Sequence, residues 1–518
     1  MATPHNDLGE PGLLASLLTD EVFHPPEPQS IDETGVSPIL IESLICKYLL
    51  QVGSTSGREI ANRLCLPFGI LEDMLLGLRS RQVLIHQGQA QLNDYCYALT
   101  EQGASRARSA MQACAYVGPV PVPLDDYLMS VEAQTIRAEA ARREQLAAAF
   151  RGISIEPELL DLLGPAVNSG AGMFLYGAPG NGKTTIAKRI THCFGQHIWI
   201  PRTLTEDGQY IKLYDAACHE EVESTAESLL KTASADARWI KIRRPTVVVG
   251  GELTMDNLEI RHDQKSNVSE ASIQLKSNCG CLLIDDFGRQ RIDAAELLNR
   301  WIVPLENRHD YLTLATGKKM QVPFEQLIIF STNLEPLDLA DEAFLRRIPY
   351  KIEVKDPSLA EFGKLFEAAC KTFECRFHPE AVHYLVQTHY VPYKRPLRRC
   401  HARDLLSQIK NYCIYLGRPM ELRPDYIDRV VTSYFTAVSE PNRPNSFAVQ
   451  PATQSQRSDA PAPNPPTEQI GGQRPQSAPP RGASPVPAPV APPRSAPVQA
   501  KAPLPTLPPK SLHRLPSA

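Results

Sequence analysis

The sequence has few of the features that mark membrane, secreted or zinc-binding proteins. No apolar run approaches the roughly 18 residues that a membrane-spanning helix requires, so we expect no membrane segment. The twelve cysteines form no C-x₂-C pair, which argues against a zinc site and suits reduced thiols. The amino terminus has no basic stretch of the kind that opens a secretory signal. Together these absences predict a cytoplasmic protein.

The sequence also lacks a strong net charge. Lys+Arg 54 against Asp+Glu 58 gives −4, so the chain as a whole has no positive field for nucleic acid. The balance is uneven, because the stretch from Glu440 to Ala518 holds eight basic and three acidic residues, +5 there against −9 elsewhere. At 518 residues the chain has room for about three domains.

Both ends of the chain lack the apolar periodicity of a folded core. Residues 1–36 are rich in Pro, Glu and Asp, and residues 439–518 are dominated by Pro, Ala, Ser and Gln, so we predict disorder in both. The tail contains PLPTLPPK (503–510), which has the proline spacing of a polyproline II ligand. Such matches arise by chance in proline-rich tracts, so a passive tether is the favoured interpretation.

Residues 37–112 have the pattern of a winged-helix-like domain. Three helical stretches precede a two-stranded hairpin and a closing helix. Such a domain would read DNA through its third helix, yet that helix carries Glu72 and Asp73 near its start. Seven basic against six acidic residues in the unit give no electrostatic footprint for nucleic acid. Protein docking is therefore favoured over DNA binding, and both alternatives stay open at this point.

The middle and end of the chain divide into three parts. Residues 113–152 contain a stiff proline-rich linker (118–123) and one long helix predicted over 125–150. A nucleotide-binding core is predicted over 153–355, followed by a helical lid over 356–438. The lid should hold four helices, at about 357–374, 379–389, 399–416 and 424–438.

The most informative segment is GAPGNGKT (177–184), which fits the phosphate-loop pattern G-x-x-x-x-G-K-[ST]. The apolar run MFLY (173–176) precedes it and the helical spacing of 185–194 follows it, which is the strand–loop–helix context that the motif needs. Lys183 carries a charge to the β- and γ-phosphates, and the Thr184 hydroxyl reaches Mg²⁺. The segment predicts binding of a nucleoside triphosphate. The predicted nucleotide contacts are Gly177, Ala178, Pro179, Gly180, Asn181, Gly182, Lys183, Thr184 and Thr185.

A second segment, CLLIDDF (281–287), supplies carboxylates. Its apolar residues predict a buried parallel strand that ends in Asp285 and Asp286 at the carboxyl edge of the sheet. Asp285 is suited to hold Mg²⁺ through water, and Asp286 is suited to orient the attacking water. Thr184 and Asp285 are therefore the predicted metal residues.

The phosphate loop, the strand ending in Asp, the later strand IIFSTN (328–333) and the four-helix lid resemble the AAA+ ATPases over residues 150–438. The resemblance implies an α/β fold, a P-loop NTPase core with a parallel sheet and an α-helical lid. It implies ATP and Mg²⁺ as cofactors and ATP hydrolysis as the activity. It also nominates Asn333, at the end of the later strand, as the polar residue that positions the lytic water.

The resemblance also nominates arginines. An AAA+ subunit supplies an arginine to its neighbour's site, and AFLRRI (343–348) is similar to that finger segment, with Arg347 favoured over Arg346. A lid arginine of the family senses the γ-phosphate, and here Arg403 is the first candidate and Arg399 the second. The implied assembly is a homo-oligomer, either a ring or a partial ring.

More closely, the chain resembles bacterial predicted ATPases with chaperone activity, which are related to MoxR-type ATPases and pair a winged-helix-like front with an AAA+ core. The similar stretches are GPAVNSG (164–170), LLIDDFGRQR (282–291), LLNRWIVPLENR (297–308) and DEAFLRRIPYKI (341–352). The resemblance implies a remodelling or chaperone-like role on a protein partner that it does not name.

One position departs from the family pattern. AAA+ enzymes usually have Glu after the Asp that binds Mg²⁺, whereas this chain has Asp286. The carboxylate is one methylene shorter, so it must approach closer or act through a second water. Slow turnover follows from this, and a nucleotide switch that rarely hydrolyses becomes an alternative.

The 102 residues between Lys183 and Asp285 exceed what one strand–helix–strand step needs. Residues 243–261 predict a hairpin that turns at Gly250 and Gly251, and residues 311–325 predict another that turns at Gly317. The two resemble the inserted hairpins of one AAA+ branch, which face a pore or a partner, and surface decoration is the alternative.

Three functions therefore compete. The leading one is an oligomeric ATPase that remodels a protein partner. The second is an ATP-dependent DNA-binding regulator or initiator that uses the winged helix, with nucleic acid possible but not favoured. The third is a slowly hydrolysing nucleotide switch.

Overall fold

The computed structural model describes residues 23–91, 94–138, 140–195, 197–222, 235–339 and 342–435. The proline-rich tail and residues 1–22, both predicted to be disordered, lie outside the described residues. No helix within the described ranges is long and apolar enough to cross a membrane.

The first helices, in chain order, are α1 (Pro38–Val52), α2 (Gly57–Leu64), α3 (Phe68–Ser80), α4 (Glu101–Ala113), α5 (Leu124–Ala133), α6 (Arg143–Ala149), α7 (Pro157–Ser169), α8 (Lys183–Ile190) and α9 (Ile273–Ser277). The later helices are α10 (Ala294–Arg300), α11 (Ile302–Asn307), α12 (Pro336–Leu339), α13 (Glu342–Leu345), α14 (Leu359–Thr372), α15 (Pro379–Leu385), α16 (Arg399–Leu416) and α17 (Pro424–Tyr434).

The first strands are β1 (Ser54–Ser56), β2 (Leu84–Ala90), β3 (Asp94–Leu99), β4 (Val122–Pro123), β5 (Met173–Tyr176), β6 (His197–Pro201), β7 (Thr203–Glu206), β8 (Gln209–Lys212) and β9 (Trp239–Arg243). The later strands are β10 (Thr246–Val249), β11 (Arg261–Asp263), β12 (Val268–Glu270), β13 (Cys281–Ile284), β14 (His309–Thr313), β15 (Lys319–Pro323), β16 (Leu327–Thr332) and β17 (Tyr350–Glu353).

The amino-terminal domain has the expected helices and hairpin, with one strand added. β1 pairs with β3, which also pairs with β2, so a three-stranded antiparallel sheet closes the helices α1 to α4. Helix α1 begins where the Ser37 hydroxyl accepts a hydrogen bond from the Leu40 N–H, and it ends at Gly53, where φ is +81°. Three residues of polar sequence are too short to signal β1, whose pairing partner lies about forty residues away along the chain.

The prediction of disorder over 1–36 is wrong for its described part, residues 23–36. Thr34 and Val36 are buried, and the buried Arg238 guanidinium donates a hydrogen bond to the Thr34 carbonyl at 2.7 Å. The Asp236 N–H donates to the Pro25 carbonyl at 3.0 Å. Composition does not predict the order of residues 23–36, because this segment packs on the surface that it covers and has no core of its own.

The central sheet is parallel throughout, with the order β10-β13-β16-β5-β17. β13 and β16 are buried along their whole length, which explains their continuous apolar sequences. The hairpin predicted over 243–261 is wrong, since Thr246–Val249 pairs in parallel with β13 and forms one edge of this sheet. Gly250 and Gly251 directly follow that strand.

A second, β-rich region packs around helix α5. It contains a sheet of order β11-β12-β8-β7-β4 and the antiparallel pairs β6–β9 and β14–β15. The hairpin predicted over 311–325 is confirmed as β14–β15, with a turn at Gly317, where φ is +83°. Its inner residues, Leu312, Leu314, Met320 and Val322, are buried against α5 and β6 to β9. One face of the hairpin is therefore part of a core.

Two predictions for residues 113–152 are corrected. The proline-rich linker is integrated into a sheet, because Val122 and Pro123 form β4 and pair with β7. The single helix predicted over 125–150 is broken after Ala133. There the Gln134 side chain bonds both backbone groups of Trp199 in β6, at 2.9 and 2.7 Å, so the chain turns to follow β6.

The lid contains the four predicted helices, α14 to α17, and α15 continues as a π-helical turn to Tyr390. Helix α14 begins with a capping box, in which the Ser358 hydroxyl accepts from the Glu361 N–H and the Glu361 carboxylate accepts from the Ser358 N–H. Phe362, Phe366, Leu405 and Leu406 lie in a separate apolar core. The lid therefore has its own core, distinct from that of the parallel sheet.

Candidate functional site

The phosphate loop follows β5 and adopts a backbone that glycine favours. Gly177, Gly180 and Gly182 have φ of +129°, +85° and +83°. A Cβ atom at Gly177 would lie 2.7 Å from the Val354 carbonyl oxygen, so a side chain there would displace the backbone of the neighbouring segment. Helix α8 begins directly after Gly182, so its free N–H groups face the loop. The residues Pro179, Gly180, Asn181, Gly182, Lys183, Thr184 and Thr185 all line one cavity.

Lys183 is buried, and its ammonium is held by three oxygen atoms. It donates to the carbonyls of Gly177 and Ala178 at 3.0 and 3.1 Å and to Asn333 Oδ1 at 2.6 Å. Burial lowers the pKa of Lys183, while the nearby carboxylates of Asp286 and Asp285 act in the opposite direction. The predicted contacts Gly177 and Ala178 thus act here through their carbonyl groups, which fix the lysine.

Thr184 and Asp285 meet across the sheet edge. The Thr184 hydroxyl lies 2.8 Å from Asp285 Oδ2 and 3.0 Å from Oδ1, and the Asp285 N–H donates to the Val249 carbonyl at 2.8 Å. A hydroxyl and a carboxylate are the hard oxygen donors that Mg²⁺ takes from proteins at phosphate sites. The two predicted metal residues therefore fit this ion.

The strand order brings Asn333 between the loop and the acidic pair. β16 lies between β5 and β13, and Asn333 directly follows β16, so three parallel strands end in the loop, the asparagine and the aspartates. Asp286 follows Asp285 with φ of +50°, in the left-handed region, and is exposed at the cavity. The carboxyl edge of the sheet thus collects all five polar groups predicted to act there.

A cavity of about 610 Å³ joins these groups to the lid. This volume lies within the range that small-ligand sites occupy. The apolar part of its lining was not predicted from the sequence and includes Ile153, Ile155, Leu159, Ile186, Leu365 and Ala368. Sequence periodicity places Leu365 on an apolar helix face, but only the approach of lid and core shows that it borders this cavity.

The two lid arginines differ in their surroundings. Arg403 lines the cavity with a side chain that is 76% exposed, and it contacts Asp404 at 3.4 Å. Arg399 is 10% exposed and donates to the Ser154 carbonyl at 3.1 Å and to the Glu156 carboxylate at 2.7 Å. Arg399 thus holds the apolar end of the cavity, and Arg403 has the freedom to reach a ligand.

A further arginine, Arg398, was not predicted. It forms an ion pair with Asp356, whose carboxylate also accepts a hydrogen bond from the Asn181 side chain at 2.7 Å. The Cys400 N–H donates to the Gly180 carbonyl at 2.9 Å. The start of α16 is therefore bonded to the phosphate loop. No local sequence pattern predicts this contact, because the two segments lie far apart along the chain.

The two candidate finger arginines lie outside the cavity. Arg347 Nε donates to a carboxylate oxygen of Glu306 at 2.6 Å, and Arg346 is exposed. Neither is among the described residues that line the cavity. Within one copy of the chain the structure therefore does not bring Arg347 together with Lys183, Asp286 and Asn333.

Comparisons with known proteins give only remote likeness. Residues 358–433, which form most of the lid, match a family described as a domain of unknown function, DUF8689. No curated protein matches the chain. NtrX from Brucella abortus is similar over 65% of this chain and 68% of its own, at 13% identity and a TM-score of 0.34. RuvB from Thermotoga maritima is similar over 54% of this chain and 69% of its own, at 11% identity and a TM-score of 0.33.

Proposed function

We propose that the chain binds ATP with Mg²⁺ and hydrolyses it, as an AAA+ type ATPase. The observation that carries this proposal is the convergence of Lys183, Thr184, Asp285, Asp286 and Asn333 on one cavity at the carboxyl edge of a parallel sheet. A lysine, a hydroxyl, two carboxylates and an amide in this arrangement suit phosphoryl transfer, in which the protein chiefly positions groups and stabilises charge.

Each residue has a role that its contacts support. Lys183, already fixed by two carbonyl groups, would direct its charge to the terminal phosphates. Thr184 and Asp285 would hold Mg²⁺, which when bound neutralises charge on the phosphate oxygens. Asp286 would orient the attacking water and accept its proton. Asn333, whose side-chain oxygen lies 2.6 Å from the Lys183 ammonium, would hold that water and the lysine in position relative to each other.

We propose further that a second copy of the chain completes the site. Arg347 lies outside the cavity of its own chain, although an arginine that stabilises the transferring phosphoryl group is worth about 10³–10⁵ in rate. Arg347 is paired with the half-exposed Glu306, so a neighbouring copy would have to receive Arg347 from the surface where this pair lies. The active form would then be a ring or a partial ring.

A protein is the favoured partner of this machine. The outer face of α3, which would enter a DNA groove, exposes Glu72 and Asp73, whose charges repel phosphates. Helices α1 to α4 also share a buried core with Tyr210 and Val268 of the β-rich region, so the domain is packed against the rest of the chain. These contacts support remodelling of a protein over DNA reading, and slow turnover remains compatible with Asp286.

Calorimetry with Mg²⁺-ATP and a phosphate-release assay test the proposal together. We expect saturable ATP binding that weakens when Mg²⁺ is removed, and release of phosphate in the same preparation. Binding without release would favour the nucleotide switch. Absence of binding would overturn the proposed function.

A further inference from the structure

Gln290 bonds the turn that carries Asp286 and has no role in the function proposed above. We propose that Gln290 is a positioning residue, which fixes the backbone of Asp285 to Gly288 and thereby aims the Asp286 carboxylate into the cavity. This inference rests on the proposed ATP hydrolysis and adds to it a residue that touches neither nucleotide nor metal.

The Gln290 side-chain amide forms three hydrogen bonds with the backbone of this turn. Its oxygen accepts from the Gly288 N–H at 2.8 Å, and its nitrogen donates to the carbonyls of Asp285 and Asp286 at 3.0 and 3.2 Å. An amide offers one acceptor oxygen and two donor hydrogens, so the three contacts use both ends of the group. A half-buried glutamine with such contacts serves the backbone beside it.

The backbone of the turn needs this support because it is unusual. Asp286 has φ of +50° and Gly288 has φ of +93°, both in the region that side chains disfavour. Aspartate tolerates the left-handed conformation better than most residues, because its short polar side chain can bond locally. The left-handed backbone and the short side chain of Asp286 therefore suit each other.

The other side of the turn is fixed by the sheet. The Phe287 N–H donates to the Ser331 carbonyl at 2.7 Å, and the Thr332 hydroxyl donates to the Phe287 carbonyl at 2.9 Å. Phe287 is buried among the rings of Phe174 and Phe330. The sheet therefore anchors Phe287, the residue after Asp286. Gln290 bonds the carbonyl groups of Asp285 and Asp286. The Asp286 carbonyl also accepts from the Arg289 N–H at 3.0 Å, and the Asp286 N–H donates to Asp285 Oδ1 at 3.2 Å, so Gln290 adds to these local contacts a side chain that links Asp285, Asp286 and Gly288 at once.

Two substitutions at Gln290 separate this role from general packing. Gln290→Met keeps the length of the side chain and removes all three hydrogen bonds. Gln290→Glu keeps the acceptor for the Gly288 N–H and places carboxylate oxygens against the Asp285 and Asp286 carbonyls. We expect both to lower kcat by about tenfold or more, while the Kd for Mg²⁺-ATP stays within about twofold, because the aim of Asp286 matters to the chemical step. Gln321→Met, on the exposed face of β15, is the matched control and should change neither quantity.

The decisive measurement is the kcat of the double variant that combines Gln290→Met with Asp286→Asn. If Gln290 acts through Asp286, then Gln290→Met added to Asp286→Asn should lower the residual rate no further, because coupled residues are non-additive. A kcat for Gln290→Met within about twofold of the wild type, or a full additional loss in the Asp286→Asn background, would overturn the inference. A wild-type protein that binds ATP and releases no phosphate would instead overturn the proposed hydrolysis, and the positioning role with it.

Discussion

The ammonium of Lys183 is tied to two carbonyls of its own loop and to Asn333, so its direction is set before a phosphate enters. These three contacts use all three donor hydrogens of the ammonium, so a phosphate oxygen that bonds Lys183 has to replace one of them. Burial lowers the pKa of Lys183, and a bound polyphosphate would favour the charged form again. We therefore expect Lys183 to contribute mainly to the affinity for ATP.

Lys183→Ala should weaken ATP binding by at least about tenfold, since a hydrogen bond to a charged group contributes about 1.5–3 kcal/mol. Lys188→Ala is the matched control, because Lys188 is exposed one turn and a half along the same helix and does not line this cavity. Calorimetry should show the loss for the first variant alone. Equal affinities for both variants and the wild type would contradict the phosphate-binding role of the loop.

The two adjacent aspartates should separate binding from chemistry. Asp286→Asn keeps the size of the side chain and removes the base, so turnover should fall by about 10² or more while ATP affinity persists. Asp285→Asn makes the same chemical change at the residue bonded to Thr184, so Mg²⁺-dependent affinity should fall as well. The pair is compared by calorimetry and phosphate release. Normal turnover in Asp286→Asn would assign the water to another group.

At the scale of elements, the sequence predicted the helices and strands whose hydrogen-bond partners lie close to them along the chain. The strand, loop and helix around the phosphate loop follow one another directly, and the turn at Gly317 joins strands that pair with each other. The prediction that places β10 in a hairpin is wrong because its partner β13 lies more than thirty residues away along the chain. A parallel pair has no tight turn whose residues could indicate it in the sequence. The break after α5 depends on Gln134 meeting Trp199, a contact between distant segments.

The lid should respond to acid through one histidine. His401 is buried, its Nδ1 lies 2.9 Å from the Tyr390 hydroxyl, and burial lowers its pKa to about 4. The unfolded chain binds a proton near pH 6.5, and the folded lid does not until about pH 4. Stability is therefore complete above about pH 6.5 and is lost as the pH falls towards 4.

Between pH 7 and pH 5 the wild type should lose about 2 kcal/mol more stability than His401→Gln, which stays neutral and can still bond Tyr390. Denaturant unfolding of the full chain at both values measures the difference. The other histidines are common to both proteins and cancel. Parallel losses in the two proteins would show that His401 titrates alike in the folded and unfolded states.

At the scale of the whole molecule, the sequence indicated the polar half of the site far better than its apolar half. Asp285, Asp286 and Asn333 each end an apolar run, so their common edge follows from the parallel sheet. Ile153 lies at the start of the predicted core and Leu365 lies in the lid, and only the folded chain brings them together. The packing of residues 23–36 was missed for the same reason, since the surface they cover lies about two hundred residues away along the chain.

At the same scale, the proposed function depends on assembly of several copies of the chain. Arg347 is paired with Glu306 outside the cavity of its own chain, so we expect hydrolysis to require a second copy and specific activity to rise with protein concentration. Arg347→Ala should retain ATP binding and lose most of the hydrolysis, because a finger acts chiefly in the transition state. Arg346→Ala is the matched control and should retain activity.

The measurement that tests a shared ATP site most directly mixes two inactive variants. Arg347→Ala subunits keep the Asp286 base and lack the finger, whereas Asp286→Asn subunits supply Arg347 and lack the base. An interface that combines the intact halves is complete, so we expect the mixture to release phosphate faster than either variant alone at the same total concentration. A mixture that releases phosphate no faster than its components, from a protein that stays monomeric with ATP bound, would contradict a site shared between copies.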